Sequence, residues 1–113
     1  MTLVCGRVNF FSGPHLVFKY WLRGKFMRII IVGCGKVGSS IASELNLEGH
    51  EISVVDINHG AVDKLANSLD VLGIEGNGAT YDVLIEAGAE YADLLIAATA
   101  RDEINLYSCL MAK

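Results

Sequence analysis

Residues 29–42 read IIIVGCGKVGSSIA. A run of branched aliphatics, Ile29 to Val32, leads directly into three glycines at fixed offsets, Gly33, Gly35 and Gly38. An unbroken aliphatic run of this length predicts a strand buried on both faces, as in a parallel sheet. Beyond the glycines, Val37, Ile41 and Leu45 recur every four residues, one stripe of a helix that Gly49 can end. The stretch therefore predicts strand, tight loop and helix in immediate succession. In that setting each glycine has a use. Gly33 permits the turn off the strand, and Gly35 lets an anion approach the backbone. Gly38 lets the helix lie close against the sheet. The helix N-terminus then offers N–H groups and positive potential to a pyrophosphate.

Moving outward, the alternation continues. Ile52–Val55 predicts a second strand, and Val62, Leu65, Ala66 and Leu69 a second helical stripe. Val71–Ile74 predicts a short third strand. Thr80 can cap a third helix carrying Val83, Leu84 and Ala87, stopped at Gly88. Leu94–Ala98 predicts a fourth strand, and Ile104, Tyr107 and Met111 a fourth helix, with Asp102 and Glu103 in its first turn. Strand–helix repeated four times predicts an α/β fold. Its parallel, Rossmann-like sheet has right-handed crossovers, the order 3-2-1-4, and a chain that stops before strands five and six.

Two further residues agree with a dinucleotide reading of Gly33-x-Gly35-x-x-Gly38. Asp56 closes the second strand, 18 residues beyond Gly38. A carboxylate there accepts hydrogen bonds from a ribose diol and repels a 2′-phosphate, which favours NAD(H) over NADP(H). Thr99 closes the fourth strand, at the crevice where the strand order reverses. A third loop, Glu75-Gly-Asn-Gly-Ala-Thr80, has Gly76 and Gly78 flanking Asn77. That pattern suits backbone with positive φ, and it serves either as a contact to adenine or ribose or as a plain turn.

The 113 residues fit one domain, and 52% apolar against 19% charged residues describe a packed chain. The net charge of −4 argues against a general nucleic-acid surface. Charge is unevenly placed. Residues 1–26 carry Arg7, Lys19, Arg23 and Lys25 and no acid, whereas every Asp and Glu lies from Glu44 onward. This first segment is aromatic, without sustained periodicity, and reads as an irregular N-terminal extension to a domain over 27–113. It is either an upstream addition to a start at Met27, or a membrane-surface or partner-binding segment using Phe10, Phe11, Phe18, Tyr20 and Trp21. Cys5, Cys34 and Cys109 form no framework and suggest free thiols in a reducing compartment. No apolar run reaches the roughly 18 residues of a bilayer span. His15, His50 and His59 read as surface histidines, none paired with a carboxylate at a persuasive spacing, and no metal-ligand cluster or nucleophile elbow is present. Cys34 sits at a helix N-terminus, where a thiol can be activated, and otherwise fills the loop as a small residue.

From Met27 onward the chain resembles the N-terminal NAD-binding domain of Trk potassium-uptake regulatory proteins, also called the RCK or KTN domain. The resemblance rests on MRIIIVGCGKVGSSIASEL, HEISVVDIN and GNGATYDVLIEAGAEYADLLIAATARDEINLYSCLMAK. It covers about three quarters of the chain, and the last segment is its most specific part. It implies a non-enzymatic, cytoplasmic module, or one peripheral at the inner face of the membrane, that senses NAD+ or NADH, or ATP or ADP as in some relatives. Its implied partners are a potassium transporter or channel subunit, which it gates, and further copies of itself in a dimer or larger ring. The implied cofactor contacts are Gly33, Cys34, Gly35, Lys36 and Val37 at the pyrophosphate, Asp56 at the ribose, and Thr99 with Ala100 at the crevice. Lys36 and Arg101 are candidates for extra phosphates. Family members continue into two more strands, and this sequence stops in helix four. The rival reading is the cofactor-binding fragment of an NAD-dependent oxidoreductase.

Overall fold

The computed structural model describes residues Leu3–Gly6, Phe10–Ser12 and 27–99. Its strands are β1 (Leu3–Gly6), β2 (Phe10–Ser12), β3 (Arg28–Val32), β4 (Glu51–Asp56), β5 (Leu72–Glu75) and β6 (Leu94–Ala97). Its helices are α1 (Lys36–Leu47), α2 (His59–Ser68) and α3 (Tyr81–Glu86). The expected helix over Ile104, Tyr107 and Met111 lies outside the described residues, as do Ala100, Arg101, His15 and Cys109.

One sheet holds all six strands in the order β2-β1-β6-β3-β4-β5. Its parallel part, β5-β4-β3-β6, is the expected 3-2-1-4 arrangement, with Ile31 opposite Val54 on one side and Ile96 on the other. Alternation along β3 divides the core. Ile29 and Ile31 join Ile52, Val54, Leu94 and Ile96 beneath α1 and α2, which contribute Ile41, Leu45, Val62 and Leu65. Ile30 and Val32 join Val55, Ile74, Leu95 and Ala97 beneath Leu84 and Ala87 around α3. Strands covered on both faces need apolar residues at every position, which is why β3 and β6 read as continuous runs. Burying each such side chain contributes roughly 1.5–3 kcal/mol, so truncating Ile31 would remove one of the larger single contributions.

The helical stripe of α1 differs from the expected one by a residue. Its buried positions are Gly38, Ile41, Ala42 and Leu45, and Val37 is 52% exposed. Val37 lies about 100° around the helix from Gly38, off the buried face.

The N-terminal segment is not irregular throughout. Strands β1 and β2 pair antiparallel, and β1 then pairs antiparallel with β6 over four residues, from Leu3 opposite Ala97 to Gly6 opposite Leu94. Strand β6 is therefore paired on both sides, by β3 and by β1. Two parallel neighbours cannot be joined by a tight turn, but an incoming antiparallel strand needs only a free row of N–H and C=O groups. His50 also departs from expectation. It is buried at 7% exposure, and its Nδ1 accepts the Met27 N–H at 3.1 Å, where the chain enters β3.

Candidate functional site

All four parallel strands deliver their C-terminal ends to one edge of the sheet, the edge at which open α/β sheets form their ligand crevice. The ladder runs one residue past each strand. Gly33 N–H donates to Val55 O at 2.7 Å, Gly76 N–H to Asp56 O at 2.9 Å, and Ala98 N–H to Val32 O at 2.8 Å. These bonds fix where each loop departs.

The three glycines after β3 serve three different steric ends. Gly33 has φ +110, a conformation that side chains resist. A Cβ there would also stand 2.9 Å from the Ala98 carbonyl and 3.0 Å from the Thr99 nitrogen. Gly33 is therefore where the loop crosses the end of β6. A Cβ on Gly38 would run into the carbonyl oxygen of Gly33, so Gly38 is what lets α1 start so close to the strand it follows. Gly35 is unlike both. Its φ is −75, and a Cβ built on it meets nothing within 4 Å. Neither backbone conformation nor any described neighbour demands glycine there. The residue keeps clear the space in front of the helix.

That space faces an uncapped helix end. Gly35 is the N-cap of α1 and offers no side-chain cap, and the first turn contains no acid. The first helical bond runs from Ser39 N–H to Gly35 O at 2.9 Å. The N–H groups of Gly35, Lys36, Val37 and Gly38 thus precede any intrahelical acceptor. With the Lys36 and Val37 side chains exposed beside them, they form a positive, solvent-facing rim able to hold an anion.

Asp56 ties this loop to its neighbour. Its Oδ2 accepts the Cys34 N–H at 2.7 Å and its Oδ1 accepts the Asn58 N–H at 2.9 Å. An ionised carboxylate has about four acceptor sites, so both oxygens retain capacity for a diol. Cys34 itself turns inward. Its side chain is 6% exposed and its N–H is taken up by Asp56, so it supports the loop from below. Burial, helped by the negative charge of Asp56, pushes its thiol up to about 11. Activation of Cys34 by the helix end does not occur. Ser39 Oγ, which the sequence did not single out, donates to Cys34 O at 2.9 Å and closes the loop from the helix side.

The third loop is held by its own packing. Contrary to expectation, neither Gly76 nor Gly78 has positive φ. A Cβ on Gly76 would stand 2.8 Å from Val83, and one on Gly78 would enter the Val32 side chain. Asn77 is exposed, its Oδ1 accepts the Ala79 N–H at 2.9 Å, and Thr80 Oγ1 donates to Asn77 O at 2.8 Å. Thr99 is half-buried where the loop of Gly33 abuts the end of β6. Ile57 was missed by sequence reasoning. It directly follows Asp56 and is 75% exposed, an apolar flank at the rim of the site. An aliphatic residue immediately past a strand end, where turn residues are usual, was the available signal.

His50 and His59 are engaged elsewhere. His59 Nε2 lies 2.9 Å from Asp63 and its Nδ1 3.4 Å from Glu75, the carboxylate pairing the sequence did not suggest. His50 Nε2 is 3.7 Å from Glu48, at the opposite edge of the sheet from the glycine loop. Among the described residues no group of side chains could hold a metal ion, and no helix is long and apolar enough to cross a membrane.

Several known proteins are similar to this chain. The Trk system potassium uptake protein TrkA of Azorhizobium caulinodans is 42% identical over 83 residues, 74% of this chain and 18% of that protein. The TrkA homolog of Pyrococcus abyssi is 34% identical over 87 residues, 77% of this chain and 38% of that protein. The chain thus spans only a fraction of the length of these relatives. Among solved structures, the enzyme WbmG of Bordetella bronchiseptica, crystallised in complex with NAD, is 30% identical. The match covers 61% of this chain and 23% of that one, with a TM-score of 0.46. The TrkA-N domain model matches residues 29–113, from the first buried residue of β3 through the glycine loop, Asp56 and β6. With more than half its length inside that match, the chain belongs to the TrkA-N domain family.

Proposed function

We propose that this chain is a nucleotide-sensing module that takes NAD+ or NADH at the C-terminal edge of its sheet and serves a Trk-type potassium uptake system. The observation that carries the reading is the uncapped start of α1 behind a glycine, Gly35, that no contact within the protein requires. In this reading the N–H groups of Gly35 to Gly38 take the pyrophosphate. The Lys36 side chain lies alongside, and Asp56 accepts the adenosine ribose hydroxyls. Ile57 offers its exposed apolar face to the adenine, Asn77 lines the far side, and Gly33 with Thr99 shapes the crevice toward the nicotinamide. Cys34 positions the loop without touching the ligand.

A binding role without turnover is supported by what the reactive groups are doing. The Cys34 thiol is buried and protonated at neutral pH, His50 accepts a backbone N–H, and His59 sits between two carboxylates. The potassium-uptake role rests on the names carried by the relatives, and in this reading the membrane partner is a potassium-translocating subunit.

Calorimetry with NAD+, NADH, NADPH, ATP and ADP tests the ligand. NAD(H) should bind at least about tenfold more tightly than NADPH, because Asp56 repels a 2′-phosphate. Equal affinity for NADH and NADPH removes the role given to Asp56, and no heat from any of the five ends the proposal. Steady oxidation of NADH with simple carbonyl substrates would replace the sensor with an oxidoreductase.

A further inference from the structure

The edge of the sheet opposite the glycine loop carries a cavity of about 230 Å³. Its origin lies in how α3 ends. Gly88, at φ +94, donates its N–H to Ile85 O at 3.0 Å, and Ala89 N–H reaches back to Leu84 O at 2.9 Å. This is a Schellman turn, and it stops α3 after six residues. The segment that follows shares the cavity wall with the starts of β3, β4 and β5, and brings Gly88 and Ala92 to it. Beneath lies Ser53, a small polar residue in register between Ile30 and Leu72 on the α3 face. Small residues on both sides leave the space between them open.

We propose that this cavity binds a small organic cation, an ammonium group carried on an apolar body. Charge, surface and size specify that class. Arg28 and Glu51 at the cavity are paired at 2.9 Å and cancel, whereas the Glu86 carboxylate has no partner among the described residues. The wall therefore carries one uncompensated negative charge. Glu86 is also the last residue of α3, where the helix dipole favours a base, so helix stability does not account for an acid there. Leu72 and Tyr91, 54% and 63% exposed, give the cavity its aliphatic and aromatic walls. An aromatic ring near a carboxylate attracts a cation through its face as well as through charge. The half-buried Ser53 hydroxyl, without a partner among the described residues, can accept from an N–H. The volume falls below the roughly 300–1,000 Å³ of sites for drug-sized ligands, which limits the occupant to a compact amine.

This site is separate from the nucleotide crevice. It lies at the starts of the parallel strands and the crevice at their ends, with the length of β3, about 16 Å from Arg28 to Gly33, between them. Neither the glycine loop nor Asp56 nor Asn77 lines the cavity, so a ligand there needs no nucleotide for its binding.

The test uses the full-length chain and phenethylammonium chloride, with phenethyl alcohol and hydrocinnamate as the neutral and anionic counterparts. In amide NMR spectra the ammonium should shift Ser53, Glu86, Gly88 and Ala92 saturably and leave Gly33 to Gly38 in place. The alcohol and the carboxylate should bind at least about tenfold more weakly, having no positive charge for Glu86. Glu86→Gln should lower the ammonium affinity about tenfold with an unchanged melting temperature, because the residue is exposed and the helix end gains from losing an acid. Ser53→Val, which suits a strand and fills the space above it, should abolish the ammonium shifts. No saturable shift with the ammonium would overturn the site. Equal affinity for the ammonium and the alcohol would overturn the choice of a cation, as would full affinity in Glu86→Gln. Full affinity in Ser53→Val would place the amine outside the cavity.

Discussion

Helices α1 and α2 both begin at the C-terminal edge of the sheet, after adjacent strands, and both must satisfy the N–H groups of a first turn. They do so differently. Helix α2 closes its own end. Asn58 Oδ1 accepts the Ala61 N–H at 3.1 Å, and the Asn58 N–H is itself held by Asp56. Helix α1 has glycine where α2 has asparagine, and no side chain caps it. An asparagine in place of glycine at an N-cap gains only a few tenths of a kcal/mol in stability. What glycine preserves at Gly35 is open space in front of the helix. Asp56 stands between the two ends, with one oxygen on each loop. The contrast separates a helix start finished by the protein from one left for a ligand to finish.

The largest effect should come from Gly38→Ala. Its methyl group meets the Gly33 carbonyl, so α1 and the loop must separate. Stability should fall by about 3 kcal/mol or more, with nucleotide binding lost as well. A melting temperature within a few degrees of the unmodified chain would show that the two glycines do not interlock.

Gly35→Val should divide stability from binding. Its φ suits any residue and its surroundings are open, so thermal unfolding should change little. NADH affinity should nevertheless fall by about two decades, since the side chain fills the pyrophosphate space. Normal affinity in this variant would place the ligand away from α1.

Asp56→Ala and Asn58→Ala sharpen the comparison as a pair. Removing Asp56 strands the Cys34 and Asn58 N–H groups and should cost about 1–3 kcal/mol of stability, with a one- to two-decade loss of NADH affinity. Removing the Asn58 cap should cost about 1 kcal/mol of stability and leave affinity nearly unchanged. If Asn58→Ala weakens NADH as much as Asp56→Ala, the α2 end belongs to the binding site after all.

The last effect is that of pH on Cys34. Its thiol in the fold is pushed up to about 11 from an ordinary 9.0. Unfolding therefore favours thiolate formation as pH rises. The contribution of Cys34 to stability is complete below about pH 9 and is lost toward pH 11. Urea titrations at pH 8 and pH 10.5 should show this loss in the unmodified chain and less of it in Cys34→Ala. Rapid alkylation of Cys34 in the folded protein at pH 8 would contradict its burial.

What could be read from the sequence was what is encoded locally. The β3 run, the glycine offsets, Asp56 at a strand end and the alternation of strands with helices each reflect spacing within a few residues, and the structure places them accordingly. Position around an element was harder. Val37 kept the helical period but sits at the start of α1, one step off its buried face. Gly76 and Gly78 suggested unusual backbone, whereas both are needed for packing, Gly76 against Val83 on the following helix and Gly78 against Val32, distant in sequence. His50 lies beside a turn and was read as exposed, because its partner, the Met27 N–H, is 23 residues away. The pairing of β1 with β6 left no trace in residues 1–26, whose local pattern is aperiodic.

That last pairing sets an order of events during synthesis. Cys5 and Leu95 face each other across 90 residues of chain. Strands β1 and β2 are close in sequence and pair with each other, so this hairpin pairing can form as soon as they leave the ribosome. Its partner strand then takes roughly 5–20 s to appear at typical elongation rates. Throughout that interval the hairpin offers an unsatisfied backbone edge to whatever is nearby, and a trigger factor or holdase would meet it before β6 does. The hairpin is thus made well before the strand it pairs with, and the yield of folded chain should depend on how well that wait is protected.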